Sequence, residues 1–423
     1  MVNDVPTALI TERKNCRICG STELTQILSL GDQYTSNFVT EDIEKGLRGP
    51  LELVLCERSR GGCGLVQLRH TFNHDVLYKQ YWYRSGISPT MVKALNDIVA
   101  RAEDLVHLND GDIVLDIGAN DGTLLRQYNR KDIMKVGFEP SNLWKLGIQE
   151  SGRIINDYFN YDAFAKEFNG KKAKIITSIA MFYDLEDPNE FVSDIKRCLE
   201  RDGVWIVQMN YLGLMVENNT FDNISHEHLE YYSLMTLEYL LKKHDLEAFD
   251  VETNDVNGGS FRIYIKHFGS QLEGSTGSTE RLSKQRNYEM TNKLDEKDTY
   301  VKFAKRIEGI RKDLVTLLES ERRNGKKIFI YGASTRGLVV LQYAHIDHNL
   351  IAAATDKNPD KWGKYIVGTG IKIIPLEEYR KERPDFLFVL PYHFIDEIKN
   401  QEKTFIEHNG RMIIAIPKVE IIP

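Results

Sequence analysis

The chain has 423 residues, which predicts roughly two to three domains, and its 42% hydrophobic and 28% charged residues are typical of a globular protein. No apolar run is long enough to span a bilayer, and residues 1–7 lack the features of a signal peptide, so we expect a cytoplasmic protein with no membrane partner. A net charge of -7 argues against a nucleic-acid partner, because such partners usually need a basic surface, but it allows a small phosphorylated ligand.

Four of the five cysteines lie in the first 63 residues, at Cys16, Cys19, Cys56 and Cys63. The first two form a CxxC turn, whereas six residues separate the second two. Disulfides are uncommon in a reducing compartment, and four thiolates match the tetrahedral site of structural zinc. We therefore expect a structural Zn²⁺ without a catalytic role. The alternative is that the second pair are ordinary buried cysteines, as we expect Cys198 to be.

The segment after the cysteines predicts a helix over residues 88–108, because apolar residues recur there at helical spacing. Short apolar runs then alternate with helical segments, which predicts an α/β fold with a doubly wound parallel sheet. The expected strands of this sheet are residues 113–116, 135–138, 175–177 and 204–207.

The second half of the chain begins with a highly charged stretch, residues 276–324, whose pattern predicts long helices between two domains. A strand at residues 327–331 then starts a second alternating unit, which strands 352–355 and 386–390 continue. We expect a zinc-binding module, a nucleotide-binding domain, a helical connector and a Rossmann-like domain, at residues 1–72, 73–270, 271–324 and 325–423.

The first strand of the sheet ends in Asp116, and the chain turns on Gly118 and Gly122 into a helix. Glycine at such a turn lets a ligand approach the backbone. The next strand ends in Glu139, about 20 residues on, where an acid can bind a ribose diol. The spacing D-x-G-x-x-x-G resembles class I S-adenosylmethionine (SAM) methyltransferases rather than dinucleotide-binding proteins; the alternative is a bare glycine-containing turn. The expected cofactor-binding residues are Asp116, Gly118, Asn120, Asp121, Gly122, Glu139, Pro140 and Ser178.

Two histidines bracket a glutamate at His226, Glu227 and His228. HExxH spacing is absent, and residues two apart on a helix point to different faces, which disfavours a metal there. In an extended loop the two histidines would share a side, so a metal stays open. General-base chemistry is favoured, because an imidazole titrates near neutral pH and an adjacent carboxylate raises its basicity. The alternative is that both histidines pack or cap a loop.

Several further motifs, in order along nearly the whole chain, identify a family. The chain resembles the sugar C-methyltransferases of deoxysugar biosynthesis, which methylate carbon 3 of nucleotide-linked 4-keto-6-deoxy sugars. This resemblance implies a zinc module, a SAM domain and a C-terminal Rossmann-like domain that helps to hold the nucleotide sugar. Besides the glycine turn and the His-Glu-His sequence, it is carried by the segments at 63–68, 81–86, 257–262, 331–337, 356–363 and 368–369.

The resemblance also implies roles for single residues. His228 matches the family's base, Glu227 its polar neighbour, and Tyr83 a tyrosine that lines the sugar pocket. The base removes a proton beside the ketone, and the enolate, whose oxygen needs donors, attacks the SAM methyl group. Two catalytic candidates depart from the family pattern: Ser225 stands where relatives often carry a tyrosine, and Tyr183 is expected to replace a histidine as polar partner.

The last domain has the layout of a mononucleotide-binding half-fold, with Gly332 and Gly337 at a strand-to-helix turn and Asp356 after the next strand. Backbone N–H groups at the helix start favour a diphosphate, to which Arg336 could add a charge-assisted bond. The alternatives are a scaffold that binds nothing and, for Arg262, an ordinary strand-edge charge. The expected substrate-binding residues are His226, Asn257, Ser260, Arg262, Tyr331, Gly332, Ser334, Arg336, Asp356 and Lys361.

The function favoured by the sequence is C-methylation of a nucleotide-linked keto-deoxysugar by a monomer or small homo-oligomer. Methylation of an oxygen or nitrogen on a nucleotide sugar is the first alternative. A non-catalytic sugar-nucleotide-binding protein is the second, and the missing GxGxxG disfavours a nicotinamide-dependent oxidoreductase. The sequence leaves the nucleobase and the sugar open.

Overall fold

The computed structural model describes residues 10–40, 46–73, 77, 82–147 and 152–423. The strands within these ranges are β1 (Ile10–Glu12), β2 (Leu24–Tyr34), β3 (Phe38–Val39), β4 (Arg48–Cys56), β5 (Val66–Leu68), β6 (His70–Phe72), β7 (Ile113–Ile117), β8 (Met134–Phe138), β9 (Arg153–Ile155), β10 (Ala173–Ile179), β11 (Leu199–Asn210), β12 (Glu230–Tyr231), β13 (Leu246–Asn254), β14 (Ser260–His267), β15 (Ile328–Tyr331), β16 (Ala353–Thr355), β17 (Tyr365–Ile366), β18 (Ile373–Ile374), β19 (Phe386–Val389), β20 (Arg411–Ile414) and β21 (Glu420–Ile422). The α-helices there are α1 (Pro89–Leu105), α2 (Thr123–Arg126), α3 (Trp144–Gly147), α4 (Tyr161–Phe168), α5 (Pro188–Cys198), α6 (Leu212–Glu217), α7 (Leu234–Lys243), α8 (Ser278–Thr291), α9 (Lys297–Arg323), α10 (Thr335–Tyr343), α11 (Leu376–Glu382), α12 (Ile395–Gln401) and α13 (Lys403–Glu407).

A seven-stranded sheet forms the centre of the molecule, in the order β13-β14-β11-β10-β7-β8-β9. The five strands from β7 to β11 run parallel, and β14 lies antiparallel between β11 and β13. All residues of β7 and nearly all of β10 are buried, because helices cover both faces of a parallel sheet. The doubly wound sheet that the sequence predicts is confirmed, whereas the β13–β14 pair is an addition that the sequence reading did not include.

Helix α1 begins just before this sheet and illustrates how local sequence sets its bounds. The Ser88 hydroxyl accepts a hydrogen bond from the Met91 amide at 3.4 Å, and Pro89 occupies the first turn, where it costs no hydrogen bond. The helix ends three residues earlier than predicted, because Val106 adopts an extended conformation. Its buried face packs beside the sheet through Leu95, Ile98 and Val99.

The N-terminal part of the chain forms a four-stranded sheet in the order β12-β5-β4-β2. Strand β12 comes from the middle of the chain and pairs antiparallel with β5, placing Glu230 opposite Gln67 and Tyr231 opposite Val66. The Leu68 amide also donates to the Leu229 carbonyl at 2.9 Å. The N-terminal sheet is therefore completed by the segment that directly follows the His-Glu-His sequence.

A second, six-stranded sheet forms the C-terminal part, in the order β18-β16-β15-β19-β20-β21, and only β21 runs antiparallel to its neighbour. The helix α9 that precedes it buries residues at spacings of three and four, as an amphipathic helix does. These residues belong to one apolar core together with strands of the N-terminal sheet and of the C-terminal sheet. The buried residues of α9 are Tyr300, Phe303, Ile307, Ile310, Leu314 and Leu318.

The C-terminal part also contacts the N-terminal part directly. Strand β17 pairs with β3, with Tyr365 opposite Val39, and the Gln342 side chain exchanges two hydrogen bonds with the backbone of Tyr34 at 2.6 and 3.2 Å. The C-terminal part thus packs against the N-terminal part, whose sheet also includes β12 from the middle of the chain. None of the helices in the described ranges has the length and apolar character needed to cross a membrane.

Candidate active site

One cavity of about 450 Å³ lies between the central sheet and the C-terminal sheet. Its wall includes the segments that follow β7, β8 and β10 of the central sheet and those that follow β15, β16 and β19 of the C-terminal sheet. Residues 82–88, before α1, close a further side. Ligands of doubly wound folds bind outside the carboxyl ends of the strands, and here two such edges face a common space.

The glycine turn after β7 forms the first end of this cavity. Gly118 has a φ of 74°, and a Cβ built on it would lie 3.0 Å from Cγ of Met181, so only glycine fits this approach. Both carboxylate oxygens of Glu139 accept backbone N–H groups, from Asn120 at 2.7 Å and from Ser141 at 2.8 Å. Glu139 therefore fixes the turn to the neighbouring strand while it lines the cavity.

Asp116 lies at the end of β7 and also lines the cavity. Its carboxylate accepts a hydrogen bond from the Thr177 hydroxyl at 2.6 Å. Burial raises the pKa of this carboxyl group to about 7, and the nearby charge of Glu139 adds to the effect. Two carboxyl groups beside a glycine turn are suited to a ligand with hydroxyl groups and a positive charge, as SAM has.

Two residues expected to bind the cofactor hold the Tyr83 segment in the structure. The Asn120 side chain accepts from the Ser85 amide and donates to the Tyr83 carbonyl, both at 3.1 Å. The Asp121 carboxylate accepts from the Gly86 amide at 2.9 Å. The glycine turn thereby presents Tyr83 at the cavity wall. Tyr81, from the same sequence motif, lies outside the described residues.

The other expected cofactor residues differ in position. Pro140 lines the cavity. Gly122 begins α2 in the left-handed conformation, with a φ of 75°, and does not belong to the wall. Ser178 is fully buried, and its hydroxyl accepts from the indole N–H of Trp205 at 3.1 Å. Gly122 and Ser178 thus lie behind the cavity wall, where they support the residues that line it.

His228 lies in the wall between the two strand edges. Its Nδ1 is 2.6 Å from the carbonyl oxygen of Asn223, and because a carbonyl only accepts, Nδ1 carries the proton. The neutral ring then keeps an unprotonated Nε2. Burial lowers the pKa of the imidazole to about 4, and the positive charge of Arg336 adds to this effect. At neutral pH the ring is therefore an uncharged proton acceptor.

Polar groups surround this imidazole. The ring of Tyr183 meets it edge to face, with ring centroids 4.4 Å apart, and burial keeps the pKa of the Tyr183 phenol well above 10, so its hydroxyl stays protonated. The Glu227 carboxyl accepts from the hydroxyls of Ser36 and Ser225, each at 3.4 Å. Burial raises the pKa of Glu227 to about 7. Ser225 itself is buried and supports Glu227 from behind the wall.

His226 does not share this environment. It is buried against the N-terminal sheet, where Nε2 contacts the Gly49 carbonyl at 3.2 Å and the ring meets Phe72 edge to face. The two histidines therefore lie in different surroundings, and His226 is outside the cavity wall. Neither His226 nor His228 belongs to a group of His, Cys, Asp or Glu side chains in the described part of the chain that is close enough to share a metal ion.

The four N-terminal cysteines form the cluster that the sequence predicts. Their sulfur atoms all lie within 4.8 Å of one another, with Cys16 to Cys63 and Cys19 to Cys56 at 3.5 Å. A Cβ built on Gly62 would lie 2.6 Å from Sγ of Cys56, so the loop packs its backbone against the sulfur. Four converging thiol groups fit a structural zinc ion.

Seven of the residues expected to bind substrate line the cavity: six come from the C-terminal part, and Asn257 comes from the turn between β13 and β14. Many of their polar groups are already bonded within the protein. The ammonium of Lys361 lies 3.0 Å from the Asp356 carboxylate, and the Ser334 hydroxyl accepts from the Gly337 amide at 3.0 Å. The residues of this group in the wall are Asn257, Tyr331, Gly332, Ser334, Arg336, Asp356 and Lys361.

Ser260 and Arg262, like His226, are expected substrate residues that lie outside this wall. The Ser260 hydroxyl donates to the Val256 carbonyl at 2.8 Å. The Arg262 guanidinium bonds Gln208 at 2.9 Å and pairs with Asp97 at 2.9 Å. Ser260 thus has its partner in the turn before β14, and Arg262 has partners in β11 and α1. Arg262 is buried in β14, between β11 and β13, so it is not an ordinary strand-edge charge.

His393 is a wall residue that sequence reasoning missed. Its Nδ1 is buried and has no hydrogen-bond partner among the described residues. Burial and the charge of Arg336 hold the pKa of this ring well below its usual value, so it is neutral. The available signal was its position just after β19, because residues that follow parallel strands collect at one edge of the sheet.

Comparisons with known proteins agree with this architecture. Three family models match successive parts of the chain: "Putative zinc binding domain" at residues 16–78, "Methyltransferase domain" at 89–251 and "C-methyltransferase C-terminal domain" at 255–417. The C-methyltransferase NovU of Streptomyces niveus is 29% identical over 413 residues, which are 96% of this chain and 96% of NovU.

Two solved methyltransferase structures each cover less than half of this chain. A SAM-dependent methyltransferase of Clostridium acetobutylicum is 15% identical, with a TM-score of 0.33, and covers 42% of this chain and 92% of its own. The plantazolicin methyltransferase BpumL, solved with SAH, is 13% identical, with a TM-score of 0.32, and covers 41% and 82%.

The central sheet is doubly wound and carries a glycine turn after one strand and an acidic residue after the next, and a methyltransferase family model matches this part of the chain. These features define the class: the chain is a SAM-dependent methyltransferase of the class I fold. A zinc-binding family model matches before that sheet and a C-methyltransferase C-terminal domain model matches after it, and the similarity to the C-methyltransferase NovU extends along nearly the whole chain.

Proposed function

We propose that this enzyme methylates a carbon atom next to the ketone of a nucleotide-linked keto-deoxysugar. The observation that carries the proposal is the state of His228. The Asn223 carbonyl holds the proton on Nδ1, so Nε2 of a cavity residue is free to accept one. Carbon becomes a methyl acceptor only after it loses a proton, whereas an oxygen or nitrogen acceptor has less need of such a base.

In the proposed reaction, the C–H bond beside the ketone breaks, its proton passes to Nε2 of His228, and the electron pair moves toward the ketone oxygen. That oxygen needs donors as negative charge develops on it. The Tyr183 hydroxyl and the protonated Glu227 carboxyl are the candidates, because both lie in the wall around His228 and burial keeps both in donor form below about pH 7.

The glycine turn, Asp116 and Glu139 would hold SAM in the same cavity. When bound, SAM supplies the electrophilic methyl group that the activated carbon takes. Tyr83, which Asn120 and Asp121 hold in place through the backbone, would shield the reacting groups from water. We infer that the nucleotide end of the substrate lies against the carboxyl ends of β15 and β16, where Gly332, Asp356 and Lys361 form the wall.

Solvent exchange tests the proposal most directly. The enzyme is incubated in D₂O with a panel of nucleotide-linked 4-keto-6-deoxyhexoses, first without SAM and then with SAM. We expect deuterium to enter the carbon beside the ketone without SAM, and one methyl group to appear on that carbon with SAM, both read by mass spectrometry and NMR. Methyl transfer to oxygen or nitrogen alone, with no exchange, would contradict the proposal.

A further inference from the structure

Arg336 lies in the first turn of α10, yet its guanidinium group faces protein acceptors. Nη2 is 2.6 Å from the Asp222 carboxylate and 3.3 Å from the Tyr392 hydroxyl, and Nη1 donates to the Asn257 carbonyl. The side chains are largely buried, at 2% exposure for Asp222 and 15% for Arg336. A buried ion pair of this kind holds its two elements in one arrangement, because separating the charges leaves one of them uncompensated.

Asp222 is adjacent to the residue that holds the base. It lies in the short 3-10 turn Phe221–Asn223, and the carbonyl of Asn223 is the group that accepts the Nδ1 proton of His228 at 2.6 Å. The Tyr392 hydroxyl also contacts the Asp222 carboxylate, at 3.4 Å. Two residues of the C-terminal part thus hold the turn that sets the ring orientation and the tautomer of His228.

We propose that Arg336 is a positioning residue, which acts from the C-terminal domain through Asp222 and the Asn223 carbonyl to keep His228 neutral, with Nδ1 protonated and Nε2 free. This inference rests on the proposed role of His228 as the base. It implies that the C-terminal domain takes part in the chemistry as well as in binding the nucleotide, and that Arg336 is engaged before any diphosphate arrives.

The charge of Arg336 supports the same state of the ring. A neighbouring cation disfavours protonation of an imidazole, and after burial it is the group that lowers the pKa of His228. Removing Arg336 leaves the Asp222 anion uncompensated, which would favour protonation of His228. Removing Asp222 leaves the Arg336 cation in place and would not favour protonation of His228. The titratable and charged groups that face this region from the surrounding elements are Tyr83, Tyr183, Asp184, Asp222, Glu227, Tyr231, Arg336, Tyr392 and His393.

Histidine NMR of the full-length enzyme with zinc bound tests this without any substrate. The protein is labelled at the histidine ring carbons and nitrogens, and the His228 signals are assigned by their absence in His228→Gln. In the wild type we expect the Nδ1–H tautomer and no protonation between pH 5.5 and 8.5. In Arg336→Gln we expect the pKa to rise by about 1, the lower end of the effect of a neighbouring charge, so that partial protonation is visible at pH 5.5. In Asp222→Asn the ring should stay neutral.

Arg336→Lys keeps the positive charge if Arg336→Gln does not fold, and it should leave His228 neutral while lowering the fraction of the Nδ1–H tautomer. Lys357→Gln is the matched control, because Lys357 is another cation of the same wall but pairs with Glu397, at 3.2 Å. We expect this variant to leave the His228 signals unchanged.

Calorimetry measures how tightly the wild type and Arg336→Gln bind thymidine, uridine, cytidine and guanosine diphosphates, which tests whether Arg336 is instead a phosphate ligand. If Arg336→Gln weakens binding of a diphosphate tenfold or more and leaves the His228 signals as in the wild type, Arg336 is a phosphate ligand and the positioning role is wrong. A different outcome is that Arg336→Gln alters the His228 signals but the enzyme shows no carbon methylation in the exchange assay. That outcome would support the link between Arg336 and His228 and would overturn the proposed function.

Discussion

Two adjacent residues of the cavity wall respond to the same burial in opposite ways. Burial disfavours the charged form of any group, so it lowers the pKa of His228 to about 4 and raises the pKa of Glu227 to about 7. Near pH 6 both side chains are therefore uncharged. One is a proton acceptor and the other a hydrogen-bond donor, which are the two groups that removal of a proton beside a ketone requires.

For His228 itself, we expect His228→Gln to lower kcat by about 10²- to 10⁴-fold, the usual contribution of a general base. Glutamine keeps an N–H group that can donate to the Asn223 carbonyl but has no basic nitrogen. SAM affinity, measured by calorimetry, should stay within about twofold, since the glycine turn and Glu139 are untouched. Turnover at the wild-type level would place the base elsewhere.

Ionisation of Glu227 predicts a pH dependence. As pH rises through about 7 the carboxyl group ionises and loses its donor proton, so kcat/KM should fall on that side. On the acid side, His228 should cause no loss until pH approaches about 4, since protonation removes the base only there. Glu227→Gln keeps a donor at all pH values and should lose the fall near pH 7. An unchanged profile in that variant would assign the ionisation to another group.

At the scale of elements, the loop between β4 and β5 shows why the second cysteine pair tolerates its irregular spacing. Cys56 ends β4, and its amide and carbonyl bond across the loop to the Leu65 carbonyl and the Gly64 amide, both at 2.8 Å. The hairpin, rather than a CxxC turn, therefore brings Cys63 back to Cys56. The close packing at Gly62 leaves no room for a side chain.

Two neighbouring glycines of this loop make a matched pair of variants. In Gly62→Ala the new Cβ would meet Sγ of Cys56 at 2.6 Å, so we expect loss of zinc. In Gly61→Ala nothing lies within 4 Å and only the φ of 83° opposes the change, at a cost of about 1 kcal/mol. Zinc content by mass spectrometry after dialysis against a chelator checks this. Equal zinc retention in the two variants would show that the loop adapts.

At the scale of the whole molecule, paired strands connect the zinc module to His228, the proposed base. Strand β5 begins three residues after Cys63 and pairs with β12, which begins two residues after His228. The C-terminal domain is joined to the same module through β17 and β3. A metal without a catalytic role can thus control the geometry of the cavity, because folding and metal binding are coupled in small zinc modules.

Removal of zinc should therefore lower thermal stability and methyl transfer together. We expect hydrogen exchange to increase in residues 225–231 as well as around the cysteines, and both activity and protection to return when Zn²⁺ is added. Mass-detected exchange on the intact chain measures this, with residues 386–389 of the C-terminal sheet as an internal reference. Full activity in metal-free enzyme would show that the module only stabilises the N-terminus.

Local patterns alone determined several features of this protein. The two alternating strand-helix units, the glycine turn followed by Glu139, the amphipathic connector and the cysteine cluster were all readable from spacing. The fold and the metal cluster are confirmed by the structure. These features depend on periodicity, glycine conformation and ligand chemistry, which act over a few residues or between repeats of one motif.

Tertiary structure alone decided which of these residues share a surface. It separated His226 from His228, turned Asn120 and Asp121 toward the Tyr83 segment, paired Arg336 with Asp222 and brought His393 to the wall. Such contacts join residues far apart in the chain, and they depend on how three domains pack together. No local pattern encodes that packing, because the free energy that selects it comes from buried surface and buried charge summed over the whole fold.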